Sequence, residues 1–70
     1  NKSIVLTQRE IEILSFLKGN YNNKEISKIL NLSTRTVEGY VNTLKSKFKI
    51  NNRYDLIKIS NRPELQFLYK

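Results

Sequence analysis

The polar side chains between residues 33 and 48 are of types that form specific hydrogen bonds with the edges of nucleic-acid bases. Glu38 and Asn42 lie four residues apart, a spacing that makes them neighbours on one side of a helix. A carboxylate can accept a hydrogen bond from cytosine N4, and an asparagine amide can pair with adenine N6 and N7. Gly39 would let such a helix approach the bases closely, although a lone helical glycine is often simply tolerated. The pattern alone leaves open whether Glu38 and Asn42 contact bases or are ordinary solvated residues.

A second set of side chains carries cations or hydroxyls suited to binding phosphate. These candidates are Lys24, Thr34, Arg35, Thr36, Tyr40, Lys45 and Lys47. Phosphate contacts supply affinity and position a protein without reading sequence. A single lysine is usually a solvated surface charge, and hydroxyls at a helix start are often local caps. The clustering of these residues on two adjoining segments favours the phosphate interpretation.

Catalytic residue types are scarce in this chain. It has no histidine and no cysteine, and therefore lacks the commonest general base and the commonest metal ligands. It also has no glycine-rich phosphate loop and no paired carboxylates in an apolar setting. We therefore expect no enzymatic activity, no metal site and no cofactor.

Length and charge limit the remaining function classes. Seventy residues form one small domain, and the net charge is +7. Between residues 24 and 49 basic side chains exceed acidic ones by four, which favours a polyanionic partner such as nucleic acid. No apolar run approaches a membrane span or a signal peptide, and the narrow apolar stripes argue against membrane binding. Absence of cysteine fits a cytoplasmic location, and absence of methionine suggests a segment of a longer protein.

A capping box predicts the first helix, α1, over residues 8–18. Thr7 can cap its N-terminus while the Glu10 side chain reaches back to the Thr7 amide. Apolar residues then recur at one-turn spacing, and Gly19 is predicted to end the helix.

Two further caps predict a short helix followed almost directly by a long one. Asn22 would begin α2 at residues 23–30, and Ser33 would begin α3 at residues 34–48. The apolar residues of α3 form one narrow stripe: Val37, Val41, Leu44 and Phe48. Two such helices with a tight connection and a basic surplus are typical of a helix-turn-helix, whose second helix enters the major groove.

A fourth helix, α4, is predicted over residues 53–61, with Asn52 as its cap and Pro63 as a stop or bend. The expected architecture is therefore all-α, with four helices. The chain divides into a linker or N-terminal arm at 1–5, the helix-turn-helix domain at 6–61 and an apolar C-terminal extension at 62–70.

These segments together resemble the LuxR/FixJ-type (GerE-like) DNA-binding domain of bacterial transcription regulators. The matching stretches are LTQREIEIL (6–14), NKEISKIL (23–30), LSTRTVE (32–38) with Val41 and Lys47-Phe48, and Asn52-Arg53 followed by DLI (55–57). The resemblance covers about residues 4–60. Several ordered blocks at the right spacing make it more specific than any single motif.

The resemblance implies sequence-specific binding to double-stranded promoter DNA as a homodimer. Its base-reading positions fall on Glu38, Gly39 and Asn42, and its phosphate-binding positions include Lys24, Thr36 and Lys47. The implied dimer contact joins the fourth helices of two subunits, here through Arg53, Tyr54, Ile57, Lys58 and Asn61. It also implies an N-terminal regulatory domain, either a receiver or a small-molecule-binding domain.

Three features depart from the family pattern. Tyr40 stands where the family usually has histidine, and Asn20-Tyr21 lengthens the turn after α1. The apolar segment after α4 is an addition that could cover or extend the dimer surface.

Two other functions remain as alternatives. The promoter-reading region of a sigma factor shares a capped first helix and a Thr-Val helix start, but residues 52–60 continue as a fourth helix where that region normally ends. A basic protein-interaction module would instead bind an acidic protein.

Overall fold

The computed structural model describes residues 5–61 together with the backbone of residues 68–69. The helices within this part are α1 (Gln8–Lys18), α2 (Asn23–Leu30), α3 (Thr34–Phe48) and α4 (Arg53–Ser60). The predicted bounds are confirmed for the first three. Helix α4 ends one residue earlier than predicted, because Asn61 is its C-cap and its ψ of 1° departs from the helical value.

Side-chain caps begin all four of these helices, as the sequence predicts. In α1, Thr7 Oγ1 accepts from the Glu10 amide at 3.2 Å, and Glu10 Oε1 accepts from the Thr7 amide at 2.9 Å. The same reciprocal box joins Asn22 and Glu25 in α2. The caps of α3 and α4 are Ser33 and Asn52, respectively. The caps satisfy backbone N–H groups that have no partner within the helix, and they explain why the predicted starts were accurate.

Gly19 ends α1 as predicted, but the left-handed residue in the turn that follows is not glycine. Gly19 is the C-cap, but its φ is −85°, and the left-handed φ of 67° falls on Asn20. Asparagine enters this region more easily than most residues, so glycine is not needed there. The Tyr21 ring fills the space beside Gly19 and meets Phe16 edge-on, with 5.3 Å between ring centroids. The longer turn thus adds an aromatic pair.

The connection between α2 and α3 is a tight left-handed turn. Asn31 has a φ of 58°, and its amide donates to the Lys28 carbonyl at 3.3 Å. The Leu32 amide donates back to the Ser27 carbonyl at 2.8 Å. This pair of bonds is the Schellman arrangement, which satisfies carbonyls at the end of a helix. It fixes the angle at which α3 leaves α2.

One apolar cluster, to which each helix contributes, forms the core. Its buried members are Leu6, Ile13, Leu14, Leu17, Ile26, Val37, Val41, Leu44 and Leu56. The predicted stripe of α3 faces this cluster, with Phe48 half-buried at its end. Because this stripe is held inward, the opposite side of α3 is fixed outward.

A short parallel strand pair was not predicted from the sequence. Strand β1 (Val5–Leu6) pairs with β2 (Leu68–Tyr69), with Val5 opposite Leu68. Part of the predicted extension therefore returns to the start of the domain. The predicted stop at Pro63 lies outside the described residues. No helix in the part described is long and apolar enough to cross a membrane.

Candidate nucleic-acid interface

The outward face of α3 displays the three residues predicted to read bases. Glu38, Gly39 and Asn42 are all exposed. Glu38 and Asn42 line one open groove of about 300 Å³. Its other lining residues are Asn23, Val41, Lys45 and Arg53. The groove thus brings together α3 and the first residues of α2 and α4.

Gly39 is not required by the fold. A Cβ placed on it would meet no atom of residues 5–61 within 4 Å, and its φ is not positive. Within a helix, glycine costs about 1 kcal/mol relative to alanine. Neither intramolecular packing nor backbone conformation therefore explains the missing side chain.

Glu38 and Asn42 keep their hydrogen-bonding capacity unused. Within the described residues, neither side chain takes part in an ion pair, a hydrogen bond or a ring contact. Glu38 is also the sole acidic residue of α3. Both groups are therefore available to a ligand in the groove.

The predicted phosphate-binding residues differ in their surroundings. Lys24, Thr34, Arg35 and Thr36 are exposed, whereas Tyr40, Lys45 and Lys47 are half-buried. The Thr36 hydroxyl accepts from Ser33 Oγ at 2.9 Å, which leaves its own hydrogen available to donate. Tyr40 packs partly against the core.

Lys47 already has partners within the domain. Its Nζ lies 2.6 Å from Glu10 Oε1 and 3.0 Å from the Val5 carbonyl oxygen. This contact joins the end of α3 to the start of α1 and to strand β1. The contact was not predicted from the sequence, although helical spacing held a signal: Lys47 lies one turn after Leu44 and Glu10 one turn before Leu14, and both leucines are buried.

Glu10 is almost fully buried, with 5 % of the surface of the residue exposed. Burial alone would raise the pKa of Glu10, but the hydrogen bonds from Lys47 and Thr7 and the charge of Lys47 outweigh it. The pKa of Glu10 therefore lies below its ordinary value. The group is ionised near neutral pH and acts as a fixed anchor for Lys47.

Arg53, at the rim of the groove, forms a second contact between elements that are distant in sequence. Its Nη1 donates to Asn23 Oδ1 at 2.7 Å, and its Nη2 donates to the Tyr21 carbonyl at 2.6 Å. These bonds hold the start of α4 against the start of α2. The family resemblance implied a place for Arg53 in the dimer contact. Its bonds to Tyr21 and Asn23 were not predicted, because no local pattern relates residues so far apart in sequence.

The other residues of the predicted dimer contact are Tyr54, Ile57, Lys58 and Asn61. Tyr54 is 70 % exposed, and Lys58 Nζ lies 5.4 Å from its ring centroid. Ile57 is half-buried against the core. Asn61 Nδ2 donates to the Ile57 carbonyl at 3.0 Å. Tyr54, Lys58 and Asn61 are therefore the exposed members of this set.

Comparison with known families identifies a match over most of the chain. The model of bacterial regulatory proteins of the luxR family matches residues 4–60. This range includes all four helices and the connecting turns.

Individual relatives are regulators several times longer than this chain. The "Probable transcriptional regulator ycf29" of Pyropia yezoensis is 48% identical over 60 residues, which are 86% of this chain and 27% of that protein. The "Oxygen regulatory protein NreC" of Staphylococcus carnosus is 31% identical over 87% of this chain and 28% of its own length. The "Nitrate/nitrite response regulator protein NarP" of Escherichia coli is 37% identical over 70% of this chain and 23% of its length. The chain thus spans about a quarter of these curated relatives.

Proposed function

The chain belongs to the luxR family of bacterial regulatory proteins, a family of DNA-binding transcription regulators, and on that premise we propose that it binds a specific duplex sequence with α3 in the major groove. The observation that carries this proposal is the outward face of α3. It holds Glu38 and Asn42, which have no partner among the described residues, beside a glycine that the packing of those residues does not require. Such a face is explained by a ligand that approaches the helix closely.

The dimensions of α3 suit this role. An α-helix with its side chains is about 10–12 Å wide, and the major groove of B-DNA is about 12 Å wide. The buried stripe fastens one side of α3 to the core, so that the helix can enter the groove as a rigid element. Residues in its first half would then meet the base edges.

The cations and hydroxyls around this face, some exposed and some half-buried, would bind the flanking phosphates. Lys24 lies in the first turn of α2, where the positive end of the helix dipole also favours an anion. The other candidates in this set are Thr34, Arg35, Thr36, Tyr40 and Lys45. We assign Lys47 a different role, because Glu10 and the Val5 carbonyl already bind its ammonium group. It holds the end of α3 in place.

Replacing Lys24 with alanine is expected to weaken binding to all duplexes alike. Loss of one phosphate contact should lower the slope of log affinity against log salt by about one. Fluorescence anisotropy over a series of salt concentrations measures this slope. Lys18→Ala is the matched control, since Lys18 is an exposed lysine at the far end of α1. Equal slopes for both variants would refute the phosphate role of Lys24.

We further propose that two copies of the chain bind adjacent half-sites through α4. The exposed Tyr54 ring, with Lys58 beside it, provides a contact surface that Ile57 extends toward the core. A two-fold dimer reads half-sites about one helical turn apart. Arg53 would support this surface from within the subunit through its bonds to Tyr21 and Asn23.

Tyr54→Asp is expected to abolish cooperative binding to a duplex with two half-sites. A charge placed on each subunit at the contact would repel its counterpart, whereas affinity for a single half-site should stay within about twofold. Tyr54 tests the interface more cleanly than Ile57, because Ile57 also packs against the core. Gel shifts on one-site and two-site duplexes measure both quantities. Retained cooperativity would exclude α4 as the dimer contact.

The length of the relatives bears on the place of this domain in a longer protein. Because the chain spans about a quarter of its curated relatives, we propose that residues 6–61 are the DNA-binding output of a longer regulator. Residues 1–5 would connect it to a receiver or small-molecule-binding domain, and residues 62–70 would form a C-terminal extension.

Selection of bound duplexes from a random pool tests the proposed function. A sequence-specific regulator should enrich one motif, repeated as two related half-sites if a dimer binds. Salt-dependent binding without any enriched motif would contradict it.

A further inference from the structure

We infer that the half-site read by α3 contains a cytosine bound by Glu38 and an adenine bound by Asn42, one or two base pairs apart. This inference rests on the proposed function and adds the identity of the bases. It follows from the hydrogen-bonding capacity of the two side chains and from their spacing on α3.

Glu38 discriminates strongly because a carboxylate can only accept hydrogen bonds. In the major groove, guanine presents N7 and O6 and thymine presents O4, all of which are acceptors and would repel it. Adenine presents an amino group beside the N7 acceptor, whereas cytosine presents its N4 amino group alone. Cytosine is therefore the base that donates a hydrogen bond to Glu38 without presenting an acceptor of its own in the major groove.

The charge of Glu38 sharpens this preference. It is the sole carboxylate of α3, and in the complex it would lie close to the polyanionic backbone. No cation pairs with it among the described residues, although Lys45 lines the same groove. A desolvated carboxylate without a donor is costly, so a half-site lacking cytosine at this position should be rejected.

Asn42, unlike Glu38, can both donate and accept a hydrogen bond. Its amide carries both a donor and an acceptor, which match the N7 and N6 groups of adenine in a bidentate pair. The asparagine side chain is short, so the helix must come close to the bases for this pair to form. The open space beside Gly39 permits that approach.

The spacing of the two bases follows from helix geometry. Residues four positions apart are separated by about 6 Å along a helix axis, and successive base pairs by about 3.4 Å. Because that spacing is measured along the DNA axis, a helix parallel to the DNA axis would address bases about two steps apart. A helix inclined to the DNA axis, as when it follows the groove, would address bases closer to one step apart.

Selection from a random duplex pool with Glu38→Lys tests the assignment. Lysine donates to guanine O6 and N7, so the variant should select guanine where the unaltered chain selects cytosine, with a change in preference of about tenfold or more. The adenine should remain. In a parallel selection, Asn42→Ala should lose the adenine and keep the cytosine.

Glu12→Lys on α1 is the matched control, because it makes the same change of charge on a helix that is not proposed to contact bases. It should bind more tightly and select the original motif. Circular dichroism of each variant checks that the fold is kept.

The outcomes separate this inference from the proposed function. If the unaltered chain selects a motif without this cytosine–adenine pair, or if Glu38→Lys leaves the motif unchanged, the base assignment is wrong while specific binding stands. If the unaltered chain selects no motif, the proposed function fails as well.

Discussion

Replacing Gly39 with leucine is expected to stabilise the folded domain and to reduce its affinity for its DNA site by at least about 30-fold. A Cβ at this position would meet no atom of the described residues within 4 Å, and leucine favours the helix over glycine by about 1 kcal/mol. In the major groove the same side chain would push α3 away from the bases. Loss of two base contacts at about 1–3 kcal/mol each accounts for the reduction in affinity.

Urea unfolding and anisotropy titration measure the two opposed effects of Gly39→Leu. Gly39→Ala should give a smaller loss of affinity with a similar gain in stability. Ser15→Leu provides a control, because it adds the same side chain at an exposed position of α1. Unchanged affinity in Gly39→Leu would show that the helix does not approach DNA closely at this residue.

Lys47→Met is expected to lower the free energy of unfolding by about 2–3 kcal/mol. It removes the cation that pairs with Glu10, a residue that is 5 % exposed, and so leaves a buried charge without its partner. Breaking a fully buried pair costs about 3–5 kcal/mol, and the partial exposure of Lys47, at 31% of its side chain, reduces that figure. For 70 residues, a total stability of about 0.05–0.15 kcal/mol per residue makes this a large fraction.

The double variant Glu10→Gln with Lys47→Met should recover much of the loss, since the amide leaves no buried charge. A double-mutant cycle gives the coupling between the two side chains. If the single and double variants were equally destabilised, lost packing of Lys47 rather than an unpaired carboxylate would be responsible.

The effect of Lys47→Met should also depend on pH. Because the folded state lowers the pKa of Glu10, the ionised group stabilises the fold above the ordinary glutamate pKa of about 4.3, and that contribution is lost as the pH falls through the lowered value. Protonation also removes the unpaired charge in the variant. The two proteins should therefore differ most at neutral pH and converge in acid. A constant difference from pH 7 to pH 3 would contradict the role of this ion pair.

Local signals made the helices predictable. Thr7, Asn22, Ser33 and Asn52 each cap the helix that follows, and a cap identifies a helix start from only four residues. The inward stripe of α3 was equally visible, because its period places the residues on one face. Together they predicted which side of α3 faces outward, and therefore where Glu38, Gly39 and Asn42 lie.

Long-range contacts were not predictable in the same way. The ion pair of Glu10 with Lys47 and the bonds from Arg53 to Tyr21 and Asn23 join residues far apart in sequence. Each of these side chains had a plausible local or surface role, so its type alone did not identify its partner. The pairing of β1 with β2 is a further example, because two-residue strands carry no measurable periodicity.

The turn after α1 could be predicted from the sequence only in part. The sequence predicted correctly that the helix ends at Gly19, but the left-handed residue is Asn20. Glycine and asparagine both tolerate this conformation, so their order along the chain did not decide which would adopt it. Packing of Tyr21 beside Gly19 and against Phe16 accounts for the arrangement observed.

Intermolecular nuclear Overhauser effects between the labelled chain and its selected duplex test the central claim most directly. The account predicts contacts from Glu38, Gly39 and Asn42 to protons in the major groove, including thymine methyl groups and the cytosine C5 proton. Contacts confined to the minor groove, or arising from α1 with none from α3, would contradict it.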